Sequence, residues 1–313
     1  MPAAAPDDLL AAARAGDRGA LARLISIIER GGDEARRVGR AVHGPDIDAT
    51  TVGITGAPGA GKSTLTSALL EAVRKGGDRV AVLAIDPSSP FSGGALLGDR
   101  VRMGEHTLDD GVFIRSMATR GHLGGLAVAA PEAVRVLAAT GYPWVILETV
   151  GVGQVEIDVM AQADTTVVVV TPGWGDAVQA NKAGLLEIAD VFVVNKADRP
   201  GADDAAHDVE RMLKMSPTAG WRPPVLCTTA TTGAGVPEVW QAVVDHRAHL
   251  AAGGELRERR RRRAAEEVTR LVAARLLDRA RAVTDGPRAA ELADAVANGD
   301  IDPWTAAEEL LGE

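Results

Sequence analysis

Gly56-Ala57-Pro58-Gly59-Ala60-Gly61-Lys62-Ser63 fits G-x-x-x-x-G-K-[ST], the pattern of a phosphate-binding loop. A β-branched run, Thr50-Thr51-Val52-Gly53-Ile54-Thr55, precedes it, and a helical pattern opens at Ser63. That strand–loop–helix setting is what makes the pattern chemically meaningful. Glycines let backbone N–H groups turn inward around phosphate oxygens, and the helix N-terminus adds partial positive charge. On this reading the loop from Gly56 to Gly61, with Thr64 just beyond it, cradles a nucleotide. Lys62 bridges the β- and γ-phosphates, and Ser63 ligates Mg²⁺. The loop specifies a nucleoside triphosphate and leaves the base open.

Outward from the loop, short apolar runs alternate with helical segments as far as about Leu250. The expected strands are 50–55, 80–85, 112–115, 144–148, 165–170, 191–194 and 224–228. Their continuous hydrophobicity suits a mostly parallel α/β sheet of the P-loop NTPase type with helices on both faces. Ligands of such sheets sit outside the carboxyl ends of the strands. The organisation read from the chain is an N-terminal helical segment (1–48), a nucleotide domain (49–250) and a C-terminal helical segment (251–313). Residues 7–42 carry an apolar stripe that includes Leu9, Leu21, Leu24 and Ile28, and divide into two or three helices. In the last segment, Val268, Leu271, Val272 and Leu276 share one helix face. Arg259-Arg260-Arg261-Arg262-Arg263 reads as a solvated face paired with Glu255, Glu258, Glu266 and Glu267 at helical spacings. Asp302-Pro303 starts a final short helix, with aspartate as N-cap and proline at its first position.

Asn195-Lys196-Ala197-Asp198 follows a strand and fits the guanine-reading pattern N-K-x-D. Asp198 would accept from guanine N1–H and the 2-amino group, while Asn195 faces the O6/N7 edge and Lys196 lays its stem on the base. Adenine has a lone pair at N1 and no 2-amino group, so the same carboxylate rejects it. Thr229-Ala230 ends the following strand as a second base-contacting loop. Glu148-Thr149-Val150-Gly151 resembles the D-x-x-G switch of GTPases with Glu in place of Asp, so Glu148 and Gly151 fall to the metal and the γ-phosphate. Val152, not glutamine, follows Gly151, and Gln154 lies farther along. A water-positioning glutamine is therefore missing from its expected place, which predicts slow hydrolysis until a partner completes the site. Asp86 ends strand 80–85, where it can reach the metal or its water, and a glycine-rich stretch after it carries a second acid, Asp99. Arg100, Arg102, Arg115 and Arg120 are candidates for a stabilising arginine.

Composition narrows the classes. Lys+Arg 34 against Asp+Glu 43 gives a net charge of −9, which argues against general nucleic-acid binding. A single cysteine, Cys227, read as a buried strand position, rules out an internal disulfide and fits a reducing compartment. No apolar run is long enough to span a membrane, and Met1 to Leu10 lacks the parts of a signal peptide. A cytoplasmic protein is expected.

Taken together, Asp86-Pro87-Ser88-Ser89, Gly93-Gly94, Leu97-Gly98-Asp99-Arg100, Glu148-Thr149-Val150-Gly151-Val152-Gly153-Gln154, Gly173-Trp174-Gly175-Asp176 and Asp302-Pro303-Trp304 closely resemble the MeaB/ArgK family of GTPases associated with methylmalonyl-CoA mutase. The likeness covers nearly the whole chain. It implies a homodimeric, GTP-hydrolysing chaperone that couples GTP/GDP and Mg²⁺ to adenosylcobalamin loading and protection of a mutase. A cobalamin adenosyltransferase is a further candidate partner. By position, Lys62, Asp86, Asp99 and Glu148 match the family's key residues, and Asp176, Gln179 and Lys182 match a switch that communicates with the mutase. Met117-Ala118-Thr119-Arg120-Gly121 departs from the more serine-rich loop expected there. The alternative from the same broad class is a GTPase metallochaperone, which needs Cys/His ligands. Cys227 and the six histidines show no ligand-like cluster in the sequence.

Overall fold

The computed structural model describes residues 5–44, 47–86, 106, 108–118, 125–149, 160–173, 187–215 and 220–312. The chain divides into two compact units, Met1–Arg263 and Ala264–Glu313.

The first unit is built on seven parallel strands: β1 (Thr50–Gly56), β2 (Val80–Asp86), β3 (Val112–Ala118), β4 (Trp144–Thr149), β5 (Thr165–Val170), β6 (Val191–Asn195) and β7 (Val225–Thr228). Their order across the sheet is β3-β2-β4-β1-β5-β6-β7, so the strand feeding the phosphate loop is central. Every expected strand is present, and β3 runs three residues farther than the apolar run suggested, taking in Met117 and Ala118. In β2, Val80 and Val82 face one core while Ala81, Leu83 and Ile85 face the other. This two-residue alternation puts apolar side chains on both faces, which is why the strands read as unbroken hydrophobic runs.

On one face, α4 (Lys62–Lys75) and α7 (Val236–Gly253) cover β1, β4 and β5 through Leu65, Leu69, Val239 and Val243. On the other, the covering layer is α5 (Gly125–Ala139) together with the N-terminal helices α1 (Pro6–Arg14), α2 (Arg18–Arg30) and α3 (Gly32–Ala41). Leu21, Leu24, Ile25 and Ile28 of α2 share a single core with Leu83, Phe113 and Leu147 of the sheet. Burying each such side chain contributes about 1.5–3 kcal/mol. The N-terminal helices therefore form one wall of the nucleotide domain's core. Asp17 caps α2 by accepting from the N–H groups of Gly19 and Ala20. Helix α6 (Ala202–Met215) covers β6 through Val209 and Leu213.

Cys227 departs from expectation: it is exposed. β7 is the edge strand and pairs with β6 alone, so its side chains lack the two-sided cover of the central strands. Partial burial, together with the nearby carboxylates of Asp203 and Glu210, raises the Cys227 thiol pKa and keeps it protonated.

The arginine run is a second correction. Arg261 pairs with Glu258 within α8 (Glu255–Thr284), as helical spacing predicts. Arg259, Arg260 and Arg263 instead reach back to the amino edge of the sheet. Arg260 donates to Asp48 at 2.6 Å, to Asp164 at 2.9 Å and to the Ala49 carbonyl at 3.1 Å. Arg263 binds Asp164 and the Gln162 carbonyl. Arg259 sits 3.3 Å from Asp190, which also accepts from the Thr166 N–H at 2.8 Å and lies 3.2 Å from buried His246. Burial works against both carboxylates. At Asp164 it is outweighed by Arg260 and Arg263, and at Asp190 by His246, Arg259 and the Thr166 N–H, so both pKa values lie below the usual range.

A lowered folded-state pKa gives stability that is complete above the unfolded value of about 4 and disappears as pH falls through the folded value. Urea midpoints are accordingly expected to hold from pH 7 to about 4 and to drop below it. Asp190→Asn is expected to cost about 3–5 kcal/mol at neutral pH by leaving the arginine side unbalanced, and to flatten the acid limb. An acid limb as steep as wild type would show that Asp190 is not the group being titrated.

The second unit holds the remainder of α8, α9 (Pro287–Asn298) and α10 (Pro303–Leu311). Asp302 caps α10 as expected, accepting from the N–H groups of Trp304 and Thr305. Leu292 and Ala306 are buried between these short helices, and Arg288 pairs with Glu309 at 2.7 Å. Val268, Val272, Leu276 and Leu277 of α8 are all more than half exposed.

Candidate nucleotide site

Strand β1 ends in Gly56, and α4 starts at Lys62, with the loop between them. Two of its glycines are required by geometry. Gly56 has φ +143° and Gly61 φ +90°; a Cβ at the first would collide with the Val169 carbonyl, and at the second with the Asn195 amide nitrogen. Gly61 gives α4 no side-chain cap, and no acid lies in the first turn. The positive end of the helix dipole therefore faces the concavity of the loop.

Lys62 is buried, and its ammonium donates to the carbonyls of Gly56 at 2.6 Å and Ala57 at 3.3 Å. That tether aims the ammonium across the loop. Ser63 donates to Glu148 Oε1 at 2.5 Å, a short hydrogen bond to a carboxylate that is fully buried in β4. Parallel pairing sets this meeting: Ile54 of β1 aligns with Glu148, and Ala84 of β2 aligns with it from the other side. Asp86 is the last residue of β2, one step beyond the Ile85–Thr149 pair. The backbone thus brings Ser63, Glu148 and Asp86 to one corner of the carboxyl edge. The Ser63 hydroxyl and the Glu148 carboxylate are oxygen donors of the kind that Mg²⁺ takes, and these two fit that ion.

At the base end, Asn195 closes β6. Its Nδ2 donates to the Ala60 carbonyl at 2.9 Å, and its Oδ1 accepts from Thr228 Oγ1 at 3.1 Å and the Ala230 N–H at 3.2 Å. The expectation had this amide facing the O6/N7 edge of guanine. Its oxygen and one N–H tie the phosphate loop to the loop after β7, and the second N–H is left for that base edge. Lys196 adopts φ +60°, unusual for a non-glycine residue, and its Nζ donates to the Gly59 carbonyl at 2.7 Å. That lays its stem across the space between the two loops. The Ala197 N–H donates to the Thr228 carbonyl at 2.9 Å, and the next residue, Asp198, is exposed. Thr229 accepts from the Thr232 N–H and donates its own N–H to Ala234, which shapes the second base loop beside buried Ala230. Thr228 went unnoticed in the sequence. Its only signal was a hydroxyl at a strand's carboxyl end.

Arg115 does not lie among these residues. It donates to Ser26 at 2.9 Å and pairs with Glu29 at 3.1 Å, both on α2, which removes it from the arginine candidates. Asp99, Gly151, Gln154, Asp176, Gln179, Lys182, Arg100, Arg102 and Arg120 lie outside the described residues, as do Thr119 and Gly121.

The model of the family described as methylmalonyl Co-A mutase-associated GTPase MeaB matches residues 21–285. The chain belongs to the MeaB family. A putative GTPase from Pyrococcus abyssi is 48 % identical over 311 residues, covering 98 % of this chain and 96 % of that protein. The mouse methylmalonic aciduria type A homolog, mitochondrial, is 38 % identical over 214 residues, covering 67 % of this chain and 52 % of the mouse protein. Among solved structures, that of a LAO/AO transport system kinase is similar over all of this chain and 98 % of its own, with a TM-score of 0.72 at 27 % identity. This MeaB-family protein is a GTPase that binds guanine nucleotide on a P-loop sheet. No described helix is long and apolar enough to cross a membrane.

Proposed function

We propose that this GTPase acts as a chaperone that gates adenosylcobalamin loading onto a cobalamin-dependent acyl-CoA mutase, with methylmalonyl-CoA mutase the first candidate client. The match over residues 21–285 to a family described by its association with that mutase carries the reading. The similarity to the mouse methylmalonic aciduria type A homolog supports it.

In the proposed mechanism Lys62 neutralises charge on the β- and γ-phosphates, and the first turn of α4 binds their oxygens. Ser63, Glu148 and Asp86 would hold Mg²⁺, with Asp99 as a further acid. When bound, the ion would supply charge neutralisation at the phosphates. Catalysis of phosphoryl transfer to water is chiefly positioning and electrostatics. Asp198 reads guanine N1–H and the 2-amino group, Lys196 covers the base, and Asn195 with Thr229 and Ala230 holds the base loop in register with the phosphate loop. Gly151 senses the γ-phosphate. The lack of glutamine after Gly151 makes the isolated protein slow. Gln154 and the segment bearing Asp176, Gln179 and Lys182 are the proposed switch contacts to the mutase. The exposed apolar residues Val268, Val272 and Leu276 of α8 support a homodimer through the C-terminal helices. A cytoplasmic setting and a role for a cobalamin adenosyltransferase belong to the same reading.

Co-purification with a panel of cobalamin mutases tests it, with GTP turnover measured with and without each client. One mutase is expected to co-elute with the chain, itself at dimer mass, and to raise turnover at least about tenfold, well within what a completed phosphoryl-transfer site supplies. No complex and no stimulation across the panel would overturn the chaperone reading and leave the GTPase assignment intact.

A further inference from the structure

The amino edge of the sheet carries an ordered polar cluster at the opposite end of the strands from the phosphate loop. Asp48 lies two residues before β1, and Asp164 and Asp190 lie immediately before β5 and β6. These strands are neighbours in the order β1-β5-β6. At their carboxyl ends β1 and β6 are joined across β5 by the bond from Asn195 to the Ala60 carbonyl. At their amino ends the same three strands are joined by Arg259, Arg260 and Arg263 of α8. Arg260 alone spans Asp48 and Asp164, while Arg259 touches the Asp164 carbonyl and the Asp190 carboxylate, each at 3.3 Å.

A staple meant only for stability needs no such spread, and buried ion pairs are poor stabilisers compared with apolar packing. Three arginines on one helix tie together the residues that lead into β1, β5 and β6, adding to the register that the β1–β5 and β5–β6 ladders set. The Asn195–Ala60 bond lies at the other end of these strands, where the loops pass so close that a Cβ at Gly61 would meet the Asn195 amide nitrogen.

We propose that Arg259, Arg260 and Arg263 form a latch through which the seating of residues 255–263 on the sheet sets the rate of nucleotide release. With the latch closed, the phosphate loop and the base loop are held in register and the nucleotide is retained. With it open, β1 and β6 slide by a fraction of an ångström, the Asn195 bond lengthens, and the base and phosphate ends of the ligand are no longer gripped together. These arginines are positioning residues and touch no nucleotide. The proposal rests on the GTPase activity and does not depend on the identity of the client.

The test uses the full-length chain loaded with a fluorescent GDP, with release followed by stopped flow. Arg260→Gln combined with Arg263→Gln is expected to speed release by about tenfold, a size typical of coupling between distant sites. Amide exchange should rise in residues 56–61 and 195–198, which neither arginine contacts. Asp48→Asn removes only the limb whose carboxylate is 56 % exposed and leaves Asp164 paired. It should fold normally and move release in the same direction by a smaller factor of about three. If the double variant does not fold, Asp48→Asn decides. Folded variants with a lowered unfolding midpoint but wild-type release and exchange would identify a plain staple and overturn the latch.

Discussion

Lys62→Ala is expected to lower GTP turnover by at least about 10²–10³-fold, the loss seen when one preorganised charge-stabilising donor is removed from an active site. The geometry makes the effect large. The ammonium is buried and held at 2.6 Å from Gly56 O, at the loop proposed to take the phosphates. Alanine removes the charge and the positioning together. Stability should move much less, because deleting a buried cation also deletes its desolvation cost. The variant should therefore keep a wild-type circular dichroism spectrum and a nearly unchanged urea midpoint while turnover collapses. Lys62→Arg is a useful companion: a planar guanidinium cannot sit as a point charge between two carbonyls, so it is expected to rescue little. A folded Lys62→Ala protein with wild-type turnover would remove the loop from the mechanism altogether.

The seven strands and the phosphate loop were legible because each is a local pattern: a β-branched run for a strand covered on both faces, and glycines at the two positions where a Cβ has no room. The misreadings concern partners far away in sequence. Val225-Leu226-Cys227 has the composition of an inner strand, but strand order decides which strand is outermost, and composition does not encode order. The five consecutive arginines offer glutamates at helical spacings, and Arg261 pairs with its glutamate there. Arg259, Arg260 and Arg263 bind aspartates 69 to 212 residues earlier in the chain. Each of those aspartates directly precedes a strand or stands two residues before one, a regularity that becomes visible once the sheet is assembled. Asn195 was found as a motif residue, but its amide works largely on protein groups that the motif does not contain. Arg115 looked available because its partner, Glu29, sits on a helix that reads as a separate segment.

Asp198→Asn is expected to weaken GTP binding by about 10⁴-fold, the discrimination reached when a site built to pair with a polar group loses that pairing. The carboxylate accepts from two donors on guanine, N1–H and the 2-amino group, in the proposed pose. A carboxamide keeps one acceptor and turns an N–H toward the 2-amino group, donor against donor. Xanthine carries a carbonyl at that position, so the same variant should gain affinity for xanthosine triphosphate while losing it for GTP. The surrounding loop should survive the change, because its shape is set elsewhere: by the Ala197 N–H on the Thr228 carbonyl, by Lys196 on Gly59 and by Asn195 on Ala60. Asp198 itself is exposed and contributes little to that frame. Calorimetric titration of wild type and variant with both nucleotides reads the result. An exchange of preference assigns base reading to Asp198. Loss of both ligands points to a collapsed loop, and undiminished GTP affinity would place guanine recognition elsewhere on the carboxyl edge.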